Sequence, residues 1–243
     1  MKIIIPGPCA AESKEQIRAS INEAKKRKIK FLRVPLWKPR TKPGFDGMGE
    51  KGIELLLEAK KAKIIPATEV MTPDHVRVVL ASVPDSEIIF WLGARNQNHF
   101  TQKEIANLIS ENKKAILIIK NQPWPSEDHW LGIVEHIRET KIKDKNIILC
   151  HRGFFPPEKN PRNYRNLPDC KMAMSVKKRV NLPMLFDPSH IGGSVSNVFE
   201  VIKECKRHSF DGMMIEVHPN PSRATTDKKQ QLSWSDFDSI RNI

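Results

Sequence analysis

The chain alternates short, almost uninterrupted apolar runs with longer stretches in which apolar residues recur every three or four positions. Residues 2–6 are the first run, β-branched and broken by Pro6-Gly7-Pro8, which predicts a strand and its exit turn. Residues 14–28 follow with Ile17, Ile21 and Ala24 on one helical face, and Ser13 stands where a cap belongs. The couplet then repeats. Further strands are predicted over 31–34, 64–67, 87–92, 115–119, 146–150, 182–186 and 212–217. Helical patterns lie between them over 49–62 (Ile53, Leu56, Leu57 and Lys60 in phase), from Thr72-Pro73 onward, and over 102–111, 130–139, 172–180 and 196–206. Strands apolar on both faces argue for a parallel sheet covered by helices, and eight such units argue for closure. The expected fold is an α/β (β/α)8 TIM barrel, with 1–243 as a single domain. An open doubly wound sheet is the alternative, but no GxGxxG follows the first strand and no Walker lysine motif is present. The longest break in the pattern, 152–165, reads either as a lid or as a structural excursion.

Composition changes this picture little. With 39% hydrophobic and 28% charged residues the chain is not a disordered one. A formal net charge of +13 suits anionic ligands of any size, and lysines in 23–30 and 58–63 read as solvated helix faces. Cys9, Cys150, Cys170 and Cys205 are far apart and lack zinc-type pairing, so a reducing compartment is expected. No apolar run reaches membrane-span length and residues 1–8 do not resemble a signal peptide; the cytoplasm, with no membrane partner, is the expected location. A basic nucleic-acid-binding or scaffold protein is the non-enzyme alternative. Against it, Tyr164 is the lone tyrosine and Trp37, Trp91, Trp124, Trp130 and Trp234 show no RNA-binding spacing.

The strand exits carry the chemistry. In a barrel they converge on one rim, where Cys9, Arg33, Lys38, Arg40, Glu69, Arg95, Lys120, His151, Arg152, Asp187, His190, Glu216 and Asp227 would gather. So many cations imply a ligand with several negative charges. Arg95, Lys120 and Arg152, on successive strands, suit a phosphate and a carboxylate held together. Pro39 stiffens the path of Lys38 and Arg40. Cys9, His190, Glu216 and Asp227 offer thiolate, imidazole and carboxylates, a set that fits a divalent first-row metal with an open position. Other readings stand beside it: a cysteine after a first strand also serves as a small core hydrophobe, and Asp187 with His190 invites an Asp/His catalytic role, although no nucleophile elbow is present.

Seven motifs in order, PGPCAAES (6–13), LRVPLWKPRT (32–41), GARN (93–96), the Lys120 strand end, HRG (151–153), DPSHIGG (187–193) and MIEVHPNPSRATTD (214–227), closely resemble the 3-deoxy-D-arabino-heptulosonate 7-phosphate (DAHP) synthase family. WLGARN, SEDHWLGIVEHI, YRNLPDCK and TTDKKQQL look most like its type Iβ branch, in the form joined to chorismate mutase. The resemblance implies a (β/α)8 enzyme that condenses phosphoenolpyruvate with erythrose 4-phosphate and water and releases phosphate, the first step of the shikimate pathway to aromatic amino acids. It implies one divalent metal, Mn, Fe, Co or Zn, on Cys9, His190, Glu216 and Asp227. Phosphoenolpyruvate falls to Arg33, Lys38, Arg95, Lys120 and Arg152, and erythrose 4-phosphate to Lys38, Pro39, Arg40 and Thr41. Lys38, Cys9 and His190 form the implied catalytic set, with Lys38, His151 or a metal-bound water as candidates for moving protons. The sibling family that uses arabinose 5-phosphate usually carries a KANRS-like stretch where this chain has Lys38-Pro39-Arg40-Thr41, which favours the four-carbon sugar. A homo-oligomer, dimer or tetramer, is the expected assembly. No ferredoxin-like segment or chorismate mutase helices accompany residues 1–243, so feedback control is expected only through a separate partner such as a chorismate mutase.

Overall fold

The computed structural model describes residues 3–40, 43–158 and 160–241. Its strands are β1 (Ile3–Gly7), β2 (Phe31–Arg33), β3 (Ile65–Glu69), β4 (Ile88–Leu92), β5 (Ala115–Lys120), β6 (Ile147–His151), β7 (Met184–Phe186) and β8 (Gly212–Glu216). Its α-helices are α1 (Lys14–Lys26), α2 (Ile53–Lys61), α3 (Pro73–Ser82), α4 (His99–Ser110), α5 (Glu127–Arg138), α6 (Cys170–Val180), α7 (Pro188–Gly192), α8 (Val195–Cys205) and α9 (Trp234–Ile240). The strands form one parallel sheet in the order β1-β8-β7-β6-β5-β4-β3-β2. Its two ends, β1 and β2, come together and complete the expected (β/α)8 barrel. Gly7, at φ +139°, makes that approach feasible, because a Cβ there would lie 2.6 Å from the Arg33 carbonyl oxygen. Just above, the Ala11 N–H donates to the Pro35 carbonyl at 2.8 Å.

Strand alternation sorts the core into two bodies. Leu32, Phe90, Leu117, Leu149, Phe186 and Ile215 face the helices and pack with Ile17, Leu56, Val79, Ile105, Val134, Val176 and Val201. Ile5, Ala67, Trp91, Ile118, Cys150, Leu185 and Met214 face inward and fill the barrel. Burial on both faces is why the strands read as continuous apolar runs.

Helix starts follow their caps. Ser13 accepts from the Gln16 N–H at 3.1 Å, and Thr72 accepts from the His75 N–H with Pro73 in the first turn. Helices α4 and α5 begin three residues before the expected 102 and 130, because Asn98 and Ser126 cap them upstream of the apolar periodicity. The 49–62 stretch opens with a 3-10 turn at Gly49–Gly52 and then buries Leu55, Leu56 and Ala59, a face rotated from the one expected. Two helices escape the periodicity altogether. Helix α7 is five residues long, and α9 is seven, opened by a capping box between Ser233 and Asp236. The 152–165 break is an excursion that returns to the rim: Phe154 bridges Leu167, and the Asn166 amide donates to the His190 carbonyl at 2.6 Å. No helix among the described residues is long and apolar enough to cross a membrane.

Candidate active site

Two residues beyond the apolar plug, each strand presents its next inward position: Gly7, Arg33, Glu69, Gly93, Lys120, Arg152, Asp187 and Glu216. Six of these eight positions are ionisable. The change in character coincides with the C-terminal mouth of the barrel, where the βα loops converge.

The anion-suited side of this mouth is built from Arg33, Lys120, Arg152 and Arg95. Arg33 is 1% exposed; its Nη2 donates to Glu216 Oε1 at 3.2 Å, while its Nε and Nη1 have no partner. Buried donors without partners are uncommon in folded proteins, and these line the pocket. Both Arg33 and Lys120 lie over the Trp91 ring, at 5.2 and 5.8 Å from its centroid. Arg152 is held from two sides, its backbone N–H on Asn121 Oδ1 at 2.7 Å and its Nη1 on Asn166 Oδ1 at 3.0 Å. Burial pushes Arg152 down to about 10, Asp187 opposing this and Arg165 and Arg95 adding to it. Glu69 enters the same pocket because Gly93 has no side chain to meet it. Burial raises its carboxyl above the usual range, against the pull of Lys120, Lys38 and Arg33.

The other side of the mouth brings Cys9, Glu216 and Asp227 together, with one ligand atom from each lying within 4.8 Å of the others. Cys9 Sγ is 3.2 Å from Asp227 Oδ2, and Lys38 Nζ makes a triangle with them, 2.7 Å from the sulfur and 3.1 Å from the carboxylate. His190 stands beside the Cys9–Glu216–Asp227 trio, next to Glu216, and is not one of the three mutually close ligands. Its Nδ1 is 2.8 Å from Asp187 Oδ2 and its Nε2 is 3.6 Å from Glu216 Oε1. Asp187 also receives Lys120 Nζ at 2.7 Å and caps α7, so one buried carboxylate orients residues on both sides of the mouth.

The electrostatics are those of a cation-binding corner. Burial pushes the Cys9 thiol well above its ordinary value, with Glu216 adding to this and Lys38 opposing. Burial alone would lower Lys38, but Cys9, Glu216 and Asp227 outweigh it and hold the ammonium charged. Asp187 lies well below the usual carboxylate range because His190 and Lys120 outweigh its burial; burial takes His190 itself down to about 4. A neutral imidazole with Nδ1 engaged has Nε2 available as a ligand. A thiol and two carboxylates at this spacing, with an imidazole beside Glu216, fit a first-row divalent ion, and the Lys38 ammonium marks the same corner as one that attracts positive charge.

Most of the residues singled out from sequence meet here, and His151 does not. His151 faces away from the rim: Cys150 takes the inward position, so His151 stacks on Trp130 at 5.8 Å and its Nε2 accepts from the Asp169 N–H at 3.0 Å. Thr41 lies outside the described residues. Arg40 is exposed, donates to the Phe45 carbonyl at 3.2 Å, and lines an outer chamber with Arg95, Arg165, Thr226 and Asp227. Lys38, Pro39, Arg95 and His190 border both this chamber and the inner pocket. Arg165 was not foreseen. It pairs with Asp227 Oδ1 at 3.1 Å and comes from the irregular excursion, where no periodicity points to it. Glu69, by contrast, follows from counting two residues past the plug on β3.

Comparison with known proteins agrees with this geometry. The model of the DAHP synthetase I family matches residues 1–243. Phospho-2-dehydro-3-deoxyheptonate aldolase of Thermotoga maritima is 34% identical over 236 residues, 96% of this chain and 66% of the relative. The 2-dehydro-3-deoxyphosphooctonate aldolase of Fusobacterium nucleatum is 26% identical over 265 residues, covering 99% and 88%. A solved DAHP synthase of Thermotoga maritima superposes with a TM-score of 0.86 at 31% identity, over 99% of this chain and 67% of that one; a truncated form of the enzyme gives 0.82 at 27%, over 99% and 84%. The chain thus spans about two thirds of the full-length Thermotoga relative. With the barrel, the motifs in order and a family match from end to end, this chain belongs to the DAHP synthetase I family.

Proposed function

We propose that the chain is a metal-dependent DAHP synthase, condensing phosphoenolpyruvate with erythrose 4-phosphate and water and releasing inorganic phosphate. The observation that carries this reading is the shared wall. A buried arginine- and lysine-lined pocket and the Cys9–Glu216–Asp227 corner meet across Lys38 and His190. One anion can be held deep while a second substrate reaches the metal corner from the outer chamber.

In this reading Arg33, Lys120, Arg152 and Arg95 hold the phosphate and carboxylate of phosphoenolpyruvate, with Lys38 at the boundary. The unpartnered Nε and Nη1 of Arg33 suit a carboxylate or phosphate oxygen. Lys38, Pro39, Arg40 and Thr41 form the aldose phosphate side. Cys9, His190, Glu216 and Asp227 hold the divalent ion, which supplies a Lewis acid for the aldehyde oxygen. C3 of phosphoenolpyruvate bonds to the aldehyde carbon, water adds at C2, and phosphate leaves as the hemiketal collapses. Holding two anions in line supplies much of the rate, and the fixed cations offset charge on the departing phosphate. Lys38, charged and 2.7 Å from Cys9 Sγ, is placed to deliver a proton to the new hydroxyl oxygen.

Four buried thiols without a disulfide favour a reducing location such as the cytoplasm. A homo-oligomer and a separate chorismate mutase partner remain part of the proposal through the family. The test is phosphoenolpyruvate consumption with erythrose 4-phosphate set against arabinose 5-phosphate. Faster turnover with the four-carbon sugar supports the reading. A preference for arabinose 5-phosphate, as the octonate aldolase relatives' names would suggest, replaces it.

A further inference from the structure

The 225–231 segment, TTDKKQQ, contributes one candidate ligand, Asp227, yet its two glutamines reach the others. Gln230 and Gln231 are 2% and 0% exposed, unusual for glutamine, and both amides are engaged at both ends. Gln230 Nε2 donates to Glu216 Oε2 at 2.7 Å, and its Oε1 accepts from Arg165 Nη1 at 2.8 Å. Glu216 is thereby tied back through Oε2, and Oε1 is the oxygen that faces His190 while also accepting from Arg33 Nη2 at 3.2 Å. Gln231 Oε1 accepts from the Cys9 N–H at 3.0 Å, and its Nε2 donates to the Thr226 carbonyl at 2.8 Å. That amide thus spans the two chain segments bearing the thiol and the Asp227 carboxylate, 218 residues apart. Asp227 itself sits at φ +44°, a left-handed conformation that an aspartate keeps only when its loop is fixed. Glu12 supplies the rest of that fixing by accepting from the Thr225 and Thr226 N–H groups, each at 2.9 Å.

We infer that Gln230 and Gln231 are positioning residues for the metal corner: Gln230 selects the oxygen that Glu216 presents, and Gln231 sets the separation of Cys9 from Asp227. The inference rests on the metal-dependent reading above. It is specific to these amides, because a methionine of similar length fills the same volume but can neither bridge two partners nor choose a carboxylate oxygen.

The test is cobalt(II) binding by the full chain, followed through the near-ultraviolet sulfur-to-cobalt absorption and by competition with a chromophoric chelator. The proteins are wild type, Gln230→Met, Gln231→Met, the exposed-lysine control Lys228→Met, and Cys9→Ala. Partners behind metal ligands commonly govern about 10- to 100-fold in affinity. Each glutamine variant is expected to bind cobalt(II) weaker by that factor, with Lys228→Met unchanged; the metal-free melting temperature stays near wild type in Gln230→Met and falls in Gln231→Met, which leaves the Cys9 N–H and Thr226 carbonyl unpaired. The Gln231→Met complex is also expected to show a displaced thiolate band. Should Gln231→Met fail to fold, Gln230→Met decides alone, since its lost bonds join side chains and leave no backbone group unpaired. Wild-type cobalt affinity in folded Gln230→Met overturns the inference while leaving the metal corner standing. Equal binding by wild type and Cys9→Ala overturns both.

Discussion

Two consecutive inward layers of the barrel, separated by two residues on each strand, have opposite characters. The lower layer, with Ile5, Ala67, Trp91, Ile118, Cys150, Leu185 and Met214, holds the barrel by dispersion and removal of apolar area from water. The upper layer sets three cations, Arg33, Lys120 and Arg152, against three carboxylates, Glu69, Asp187 and Glu216. The strands on their own therefore build a mouth of nearly balanced charge in which Arg33 Nε and Nη1 are left without a partner. Its surplus positive charge arrives from loops, through Lys38, Arg40, Arg95 and Arg165 against Asp227. The difference separates the tasks: the plug supplies stability, the strand-borne cations are placed to grip an anion, and the loop-borne charges add the surplus positive charge that would draw anions in.

That separation can be broken experimentally. Cys9→Ala removes the thiol from the rim without touching the plug, so turnover is expected to fall to background while circular dichroism and the melting curve stay close to wild type. Arg95→Ala removes an exposed loop cation. A hydrogen bond to a charged group is worth about 1.5–3 kcal/mol, so KM for phosphoenolpyruvate should rise about 10- to 100-fold with little change in stability. Ile118→Ala tests the reverse case: denaturant unfolding should show a loss of about 2–5 kcal/mol, with KM for both substrates retained in the folded fraction.

The smallest effect concerns His151, one position out of phase with the mouth. Burial, with Arg152 adding to it, takes its folded-state value down to about 3, against about 6.5 in an unfolded chain. Between those values the unfolded state binds more protons, so stability rises with pH and is lost as pH falls from about 6.5 toward 3. His151→Gln keeps an acceptor for the Asp169 N–H and cannot take up a proton. Its acid-unfolding midpoint should therefore move to lower pH, and catalysis near neutrality should be retained.

The sequence made the strands legible because burial on both faces leaves apolar runs that punctuation by Pro and Gly delimits. Period-two counting then reaches Arg33, Lys120, Asp187 and Glu216 directly. It also explains the one misplaced rim residue: His151 adjoins Arg152, and neighbours on a strand face opposite ways. Residues on irregular backbone were harder. Arg165 reaches Asp227 only because Phe154 bridges Leu167 and folds the excursion back, a tertiary fact with no local signature. The glutamines at 230 and 231 read as ordinary polar residues until their burial is seen. Helices α7 and α9 were too short to express a period.

In the proposed enzyme the metal corner and the anion grip work as one site while being separately built. Metal stripping followed by both calorimetric titration of phosphoenolpyruvate and a turnover assay with erythrose 4-phosphate tests it most directly. Stripped protein is expected still to bind phosphoenolpyruvate, to show no turnover, and to regain it with about one divalent ion per chain. Full turnover in verified metal-free protein would contradict it.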